Sequence, residues 1–178
     1  MELHAAYREL IIPALAAIGS MWEAGDIDVS EEHAGSQVAG RIVARLGPRV
    51  ARRGVKRGII VLGSTSTELH SLPLSIAADL LRVGRYDVVD LGANLPPRSF
   101  ARGVAAVEDV IAVGIGVTTT GQEEELAATV SAVRATKDLP VVIGGGGVTE
   151  DQALELGADG WARTGDDAVV VFDRLLRR

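Results

Sequence analysis

The rhythm of apolar and polar positions changes near residue 54. Before it, Leu10, Ile11, Leu15, Ile18, Met21 and Trp22 recur at helical spacing within residues 2–24. Pro13 lies inside that pattern and marks a kink or a helix start, because proline donates nothing to the helical ladder. Gly25-Asp26 ends the segment. Ser30 reads as the N-cap of a second helix, with Glu31, Glu32 and His33 in a first turn whose carboxylates suit the helix dipole. That helix runs through Val38, Ile42, Val43 and Leu46 and is expected to stop at Gly47-Pro48.

Beyond Gly54, short apolar runs alternate with amphipathic stretches. Strands are expected at 59–63, 87–91, 110–115, 140–144 and 159–162, and helices near 72–83, 98–107, 122–136, 149–156 and 166–176. Such alternation requires right-handed crossovers and a parallel sheet with helices on both faces. The expected fold is therefore α/β and flavodoxin-like, with five strands in the order 2-1-3-4-5 behind a small helical cap. Residues 1–53 form two cap helices and a linker, and 54–178 form the α/β domain. Ligands of such sheets bind at the carboxyl ends of strands one and three.

Composition narrows the partners. A net charge of −6 over 178 residues argues against general affinity for nucleic acid or anionic membrane. The absence of Cys removes disulfide and thiolate chemistry and suits a reducing compartment. The apolar run from Leu10 to Met21 is far short of the ~20 residues of a membrane span, so a cytoplasmic protein is expected. Arg41, Arg45, Arg49, Arg52, Arg53, Lys56 and Arg57 form a basic cluster, read as a solvated face and linker because no DNA-reading motif accompanies it.

The loops at the strand exits carry the candidate chemistry. Glu68-Leu69-His70 follows the first strand, placing an imidazole at the ligand-binding end with a carboxylate two residues away. Imidazole is the commonest metal ligand, and its second nitrogen is usually held by a carboxylate, carbonyl or water. The third strand runs into the hydroxyl-rich Gly116-Val117-Thr118-Thr119-Thr120. The fourth ends in Gly144-Gly145-Gly146-Gly147, read as a close approach of backbone to a ligand. Other sites are excluded. Residues 63–68 read Gly-Ser-Thr-Ser-Thr-Glu, not a dinucleotide fingerprint, and there is neither a Gly-Lys-Ser/Thr nor a G-x-S-x-G turn.

Glu68-x-His70, the glycine-rich fourth exit and Ala158-Asp159-Gly160 together resemble the cobalamin-binding domain family. That resemblance implies His70 as the lower axial ligand to cobalt, and Gly144 and Gly145 beside the cofactor's nucleotide tail. Trp22, nine intervening residues and Glu32-His33 resemble the cap of CarH/LitR-type light-sensing regulators. This implies adenosylcobalamin with Trp22, Glu32 and His33 on its upper face. Pro73 stands at the family's motif glycine, Gly116 at its serine and Thr118 at its leucine, and the DNA-binding domain of those regulators is not expected here.

The function implied is a non-enzymatic, stand-alone cobalamin sensor, possessing no nucleic-acid or membrane contact and signalling through a homo-oligomer or a regulatory protein partner. Two alternatives remain open. One is a degenerate domain that binds another ligand, such as a different tetrapyrrole, or serves protein contacts. The other is a corrinoid carrier for methyl transfer, ranked below the sensor.

Overall fold

A computed structural model describes residues 4–50 and 54–177. The chain divides into two compact units, Met1–Ala51 and Arg52–Arg178. The expected boundary at 53/54 touches residues 51–53, which lie outside the described residues, as do Arg52 and Arg53 of the basic cluster.

In the first unit a π-helical turn, Tyr7–Ile11, runs into α1 (Ile12–Ala24), and α2 spans Val29–Val50. Pro13 closely follows the π-helical turn, where its missing N–H leaves a gap in the ladder between that turn and α1. Gly25 closes α1 in the left-handed conformation at φ 77°. Two expectations need correction. Asp28, not Ser30, caps α2: Asp28 Oδ1 accepts from the backbone N–H of Ser30 (2.7 Å) and Glu31 (3.0 Å), and Glu31 Oε2 accepts in return from Asp28 N–H. Ser30 Oγ donates to the same carboxylate oxygen, so its hydroxyl is drawn away from the backbone. The helix also continues through Pro48 to Val50. In a last turn the ring removes only one ladder bond, too little to end a 22-residue helix.

The second unit is a five-stranded parallel sheet in the order β2-β1-β3-β4-β5. Its elements are β1 (Ile59–Ser64), α3 (Leu72–Val83), β2 (Asp87–Asp90), α4 (Pro97–Ala106), β3 (Val110–Gly116), α5 (Glu123–Arg134), β4 (Val141–Gly144), α6 (Glu150–Glu155), β5 (Gly160–Ala162) and α7 (Gly165–Leu176). Strand, helix and order follow the sequence expectation to within a residue or two.

Period-two alternation sorts the strand side chains onto two cores. Val61, Val113, Ile115, Val141 and Ile143 meet Phe100, Val104, Leu126, Val130 and Ala153 from α4, α5 and α6. Ile60, Leu62, Ala112 and Val142 meet Leu74, Ala78, Leu81, Val171 and Phe172 from α3 and α7. The Phe100 ring fits because the strand beneath it is locally bare: a Cβ on Gly63 would meet it at 2.7 Å, while one on Gly114 would meet the Leu62 side chain at 2.5 Å.

At the amino end of the sheet Asp173 of α7 receives Arg57 (2.5 Å), the Tyr86 hydroxyl (2.9 Å) and Arg177 (3.1 Å). The Arg57 guanidinium also stacks 4.5 Å over the Tyr86 ring. Burial of Tyr86, with the neighbouring Asp173 carboxylate, pushes its phenol up to about 12. Lys56 pairs with Asp87 at 2.8 Å. Two members of the basic cluster are thus bound within this unit, while Arg41, Arg45 and Arg49 lie exposed on α2.

Candidate functional site

At the opposite rim of the sheet, the loop after β1 delivers Glu68 and His70, and the loop after β3 delivers Thr118 and Thr119. Glu68 is a fully buried carboxylate, so each of its lone pairs needs a donor. Oε2 accepts from Thr118 N–H (2.5 Å), Thr118 Oγ1 (2.9 Å) and Thr119 N–H (3.0 Å). Oε1 accepts from His70 N–H (3.0 Å) and pairs with His70 Nδ1 at 2.6 Å. Burial alone would push this carboxyl up. The backbone N–H groups of Thr118, His70 and Thr119, with the His70 ring, outweigh it and hold the group at about 2.

That ionisation fixes the tautomer of His70. An ionised carboxylate only accepts, so Nδ1 carries the proton. Thr118 Oγ1, 3.0 Å away, is the second group on the same nitrogen. Nε2 is left with its lone pair and, among the described residues, no hydrogen-bond partner. The side chain is 65% exposed. One face of this imidazole is anchored by a buried acid and the other is open, the arrangement a metal-binding histidine requires. Among the described residues no cluster of three or more His, Asp or Glu could hold a metal by itself. His70 by itself could offer a metal one protein ligand, its Nε2.

The departures at 73, 116 and 118 leave this geometry intact. Pro73, exposed, occupies the first turn of α3 and breaks no helical bond. A side chain on Gly116 would lie 2.8 Å from the buried Ser64 hydroxyl, which already fills that space. Thr118 supplies a hydroxyl to the carboxylate instead.

The glycine run after β4 divides in two. A Cβ on Gly145, at φ 116°, would lie 2.0 Å from Val117 O, and one on Gly147 would lie 2.5 Å from Thr119 O. Those two glycines let the β3 and β4 exits pack backbone to backbone, with Gly147 N–H donating to Val117 O (3.2 Å). Their bareness serves the packing of the two strand exits. Gly144 has only ordinary contacts with Ala162, and a Cβ on Gly146 would meet nothing within 4 Å.

The loop after β2 was not singled out from sequence, yet it braces the site. Asn94 Oδ1 accepts from Thr67 N–H (3.0 Å), and Asn94 N–H donates to Glu68 O (2.9 Å). Thr67 and Asn94 both hold left-handed backbone, at φ 70° and 59°. For β-branched Thr67 this costs about 1–3 kcal/mol. The usable signal was an Asn between the strand-two exit and Pro96-Pro97, since Asn tolerates that conformation.

The remaining candidates belong to the first unit. Trp22, on α1, is 50% exposed. Glu32 and His33 lie in the first turn of α2, where Glu32 Oε1 accepts from Ser36 Oγ (2.6 Å) and Oε2 lies 3.7 Å from His33 Nε2. The His33 side chain is 72% exposed.

Residues 58–172 match the family model described as B12 binding domain, and residues 1–46 match a second model of the same description. A corrinoid protein of Desulfitobacterium hafniense (strain Y51) is 27% identical over 172 residues, spanning 93% of this chain and 80% of that protein. The solved monomethylamine corrinoid protein of Methanosarcina barkeri superposes with a TM-score of 0.84 at 15% identity, over 98% of this chain and 84% of that one. The methanol:cobalamin methyltransferase complex of the same organism gives 0.63 at 16% identity, over 99% and 68%. The cofactor these matches indicate is a corrinoid. No helix among the described residues is long and apolar enough to cross a membrane.

Proposed function

Because the chain belongs to the B12 binding domain family, we propose that it holds a corrinoid with His70 as the lower cobalt ligand and works as a corrinoid carrier for methyl transfer. The observation that carries the ligand assignment is the buried Glu68 carboxylate on His70 Nδ1, which leaves Nε2 exposed and unpartnered. When bound, the corrinoid supplies the cobalt–carbon chemistry. The protein's own residues hold the imidazole in one tautomer and orientation, and Gly144 and Gly146 leave room beside it. Carriage draws support from relatives named corrinoid proteins and from the neighbour solved in a methyltransferase complex; a methyltransferase is accordingly the partner we propose. This reverses the order expected from sequence, in which a sensory role stood first.

A sensory reading keeps one specific support, the Trp22-x9-Glu32-His33 spacing. In it adenosylcobalamin is the cofactor, Trp22, Glu32 and His33 contact the adenosyl group, and light or ligand exchange alters an interface with a regulatory protein or a second copy.

One experiment tests both. The protein is incubated in the dark with methylcobalamin or adenosylcobalamin, passed through gel filtration, and its absorption spectrum recorded before and after green light. Retained corrinoid, with a nitrogen splitting in the cob(II)alamin electron resonance spectrum that His70→Ala abolishes, is expected. Preference for the methyl form supports carriage. Preference for the adenosyl form, lost in Trp22→Ala and accompanied by a light-dependent spectrum, supports sensing. A colourless protein under every condition overturns both.

A further inference from the structure

The left-handed backbone at Thr67 needs a cause. A β-branched residue avoids φ near +70°, and nothing in the local sequence Ser64-Thr65-Ser66-Thr67 favours it. Two contacts hold it: the turn closed by Glu68 N–H donating to Thr65 O (3.2 Å), and Asn94. The Asn94 side chain receives the Thr67 N–H while its backbone N–H returns a bond to Glu68 O, so two hydrogen bonds join residues 67–68 to one residue 26 or more positions away.

Asn94 is itself fixed. The β2 exit continues the parallel ladder beyond the strands, through Leu91 N–H to Leu62 O (2.8 Å), Ser64 N–H to Gly92 O (3.0 Å) and Leu95 N–H to Ser64 O (3.0 Å). A bridge between Thr65 and Leu95 extends it. Thr67 is immediately followed by Glu68, whose carboxylate must reach the Thr118 and Thr119 amides, and then by His70. Rotation at Thr67 would swing both. We propose that Asn94 is a positioning residue for the His70 imidazole, acting through Thr67 and Glu68. Its consequence for corrinoid rests on the reading above, but the positioning is a property of the protein alone.

Thr67 and Asn94 are both exposed, so in Asn94→Ala water takes the freed N–H and the fold survives. What is lost is the unique setting of the loop. Only three histidines occur, so His70 can be followed by ring nitrogen NMR in the ligand-free protein at about pH 8.5, where imidazole is neutral. The wild type is expected to show a single Nδ1–H tautomer at His70, and Asn94→Ala a mixture of both. Asn94→Asp keeps the acceptor and should restore the wild-type signal. Thr67→Gly in the Asn94→Ala background should restore most of it, because glycine takes positive φ freely. Hydroxocobalamin, titrated by absorbance, should bind Asn94→Ala about tenfold more weakly than wild type.

A wild-type tautomer in Asn94→Ala overturns the proposal. So does failure of both Asn94→Asp and Thr67→Gly to restore it. If the tautomer responds as expected while the wild type binds no hydroxocobalamin, the positioning stands and the corrinoid reading falls.

Discussion

Glu68→Gln is the sharpest perturbation available, because it keeps the shape of a fully buried side chain and removes only its charge. A carboxyl held at about 2 when folded, against 4.5 in the unfolded chain, stabilises the fold by about 3 kcal/mol at pH 7. The folded value lies below the unfolded one. The contribution is therefore complete above pH 4.5 and is lost as pH falls toward 2. At pH 3 it amounts to about 1.4 kcal/mol. The substituted amide also turns an NH2 toward either the Thr118 and Thr119 N–H groups or those of His70. That leaves donors facing donors, at a further cost of about 1–3 kcal/mol that does not depend on pH. The stability gap between wild type and Glu68→Gln should therefore narrow by about 2 kcal/mol between pH 7 and pH 3. Urea titration of the ligand-free protein measures it. Trp161, half-buried with its indole N–H on Val148 O, is the reporter, in a Trp22→Phe background that leaves it as the sole tryptophan. A gap of equal size at both pH values would refute the argument that amide donors hold Glu68 ionised.

Two further outcomes follow from the geometry. Gly145→Ala should lower stability by about 3 kcal/mol or more, because its methyl group would collide with the Val117 carbonyl at positive φ; Gly146→Ala, which meets nothing within 4 Å, should stay within about 0.5 kcal/mol of wild type in the same denaturant titration. Ultraviolet titration should find Tyr86 ionising only near pH 12, with the stability it contributes lost as pH rises from about 10 to about 12; Asp173→Asn, by removing the hydrogen-bonded carboxylate, should bring that transition down.

The sheet was legible because its information is local. The first four strands are short runs with apolar centres that end at or beside Gly or Asp, and α3 was placed at 72–83, where it lies. The Glu68–His70 pair was legible for the same reason, being two residues apart. What supports it was not, because Thr118 meets Glu68 across 50 positions of sequence and only the β1–β3 pairing brings them together. Likewise Ser30 has the composition of a cap, but Asp28 outcompetes it with a charged acceptor two residues earlier. Gly145 and Gly147 were read as making room for a ligand, since no pattern along the chain announces that another strand's carbonyl will pass within contact distance.

The ion pair of Arg57, just ahead of β1, with Asp173, near the end of α7, has a bearing on evolution. It fastens the two ends of the α/β unit to each other on the rim away from His70. Entry and exit of the chain thus share one corner, and a unit with adjoining ends can be spliced beside or inside other domains with little disturbance. The imidazole lies at the opposite end of the strands from that ion pair. Such a unit behaves as a cartridge: recombination can change what it is wired to while the cofactor end keeps its shape.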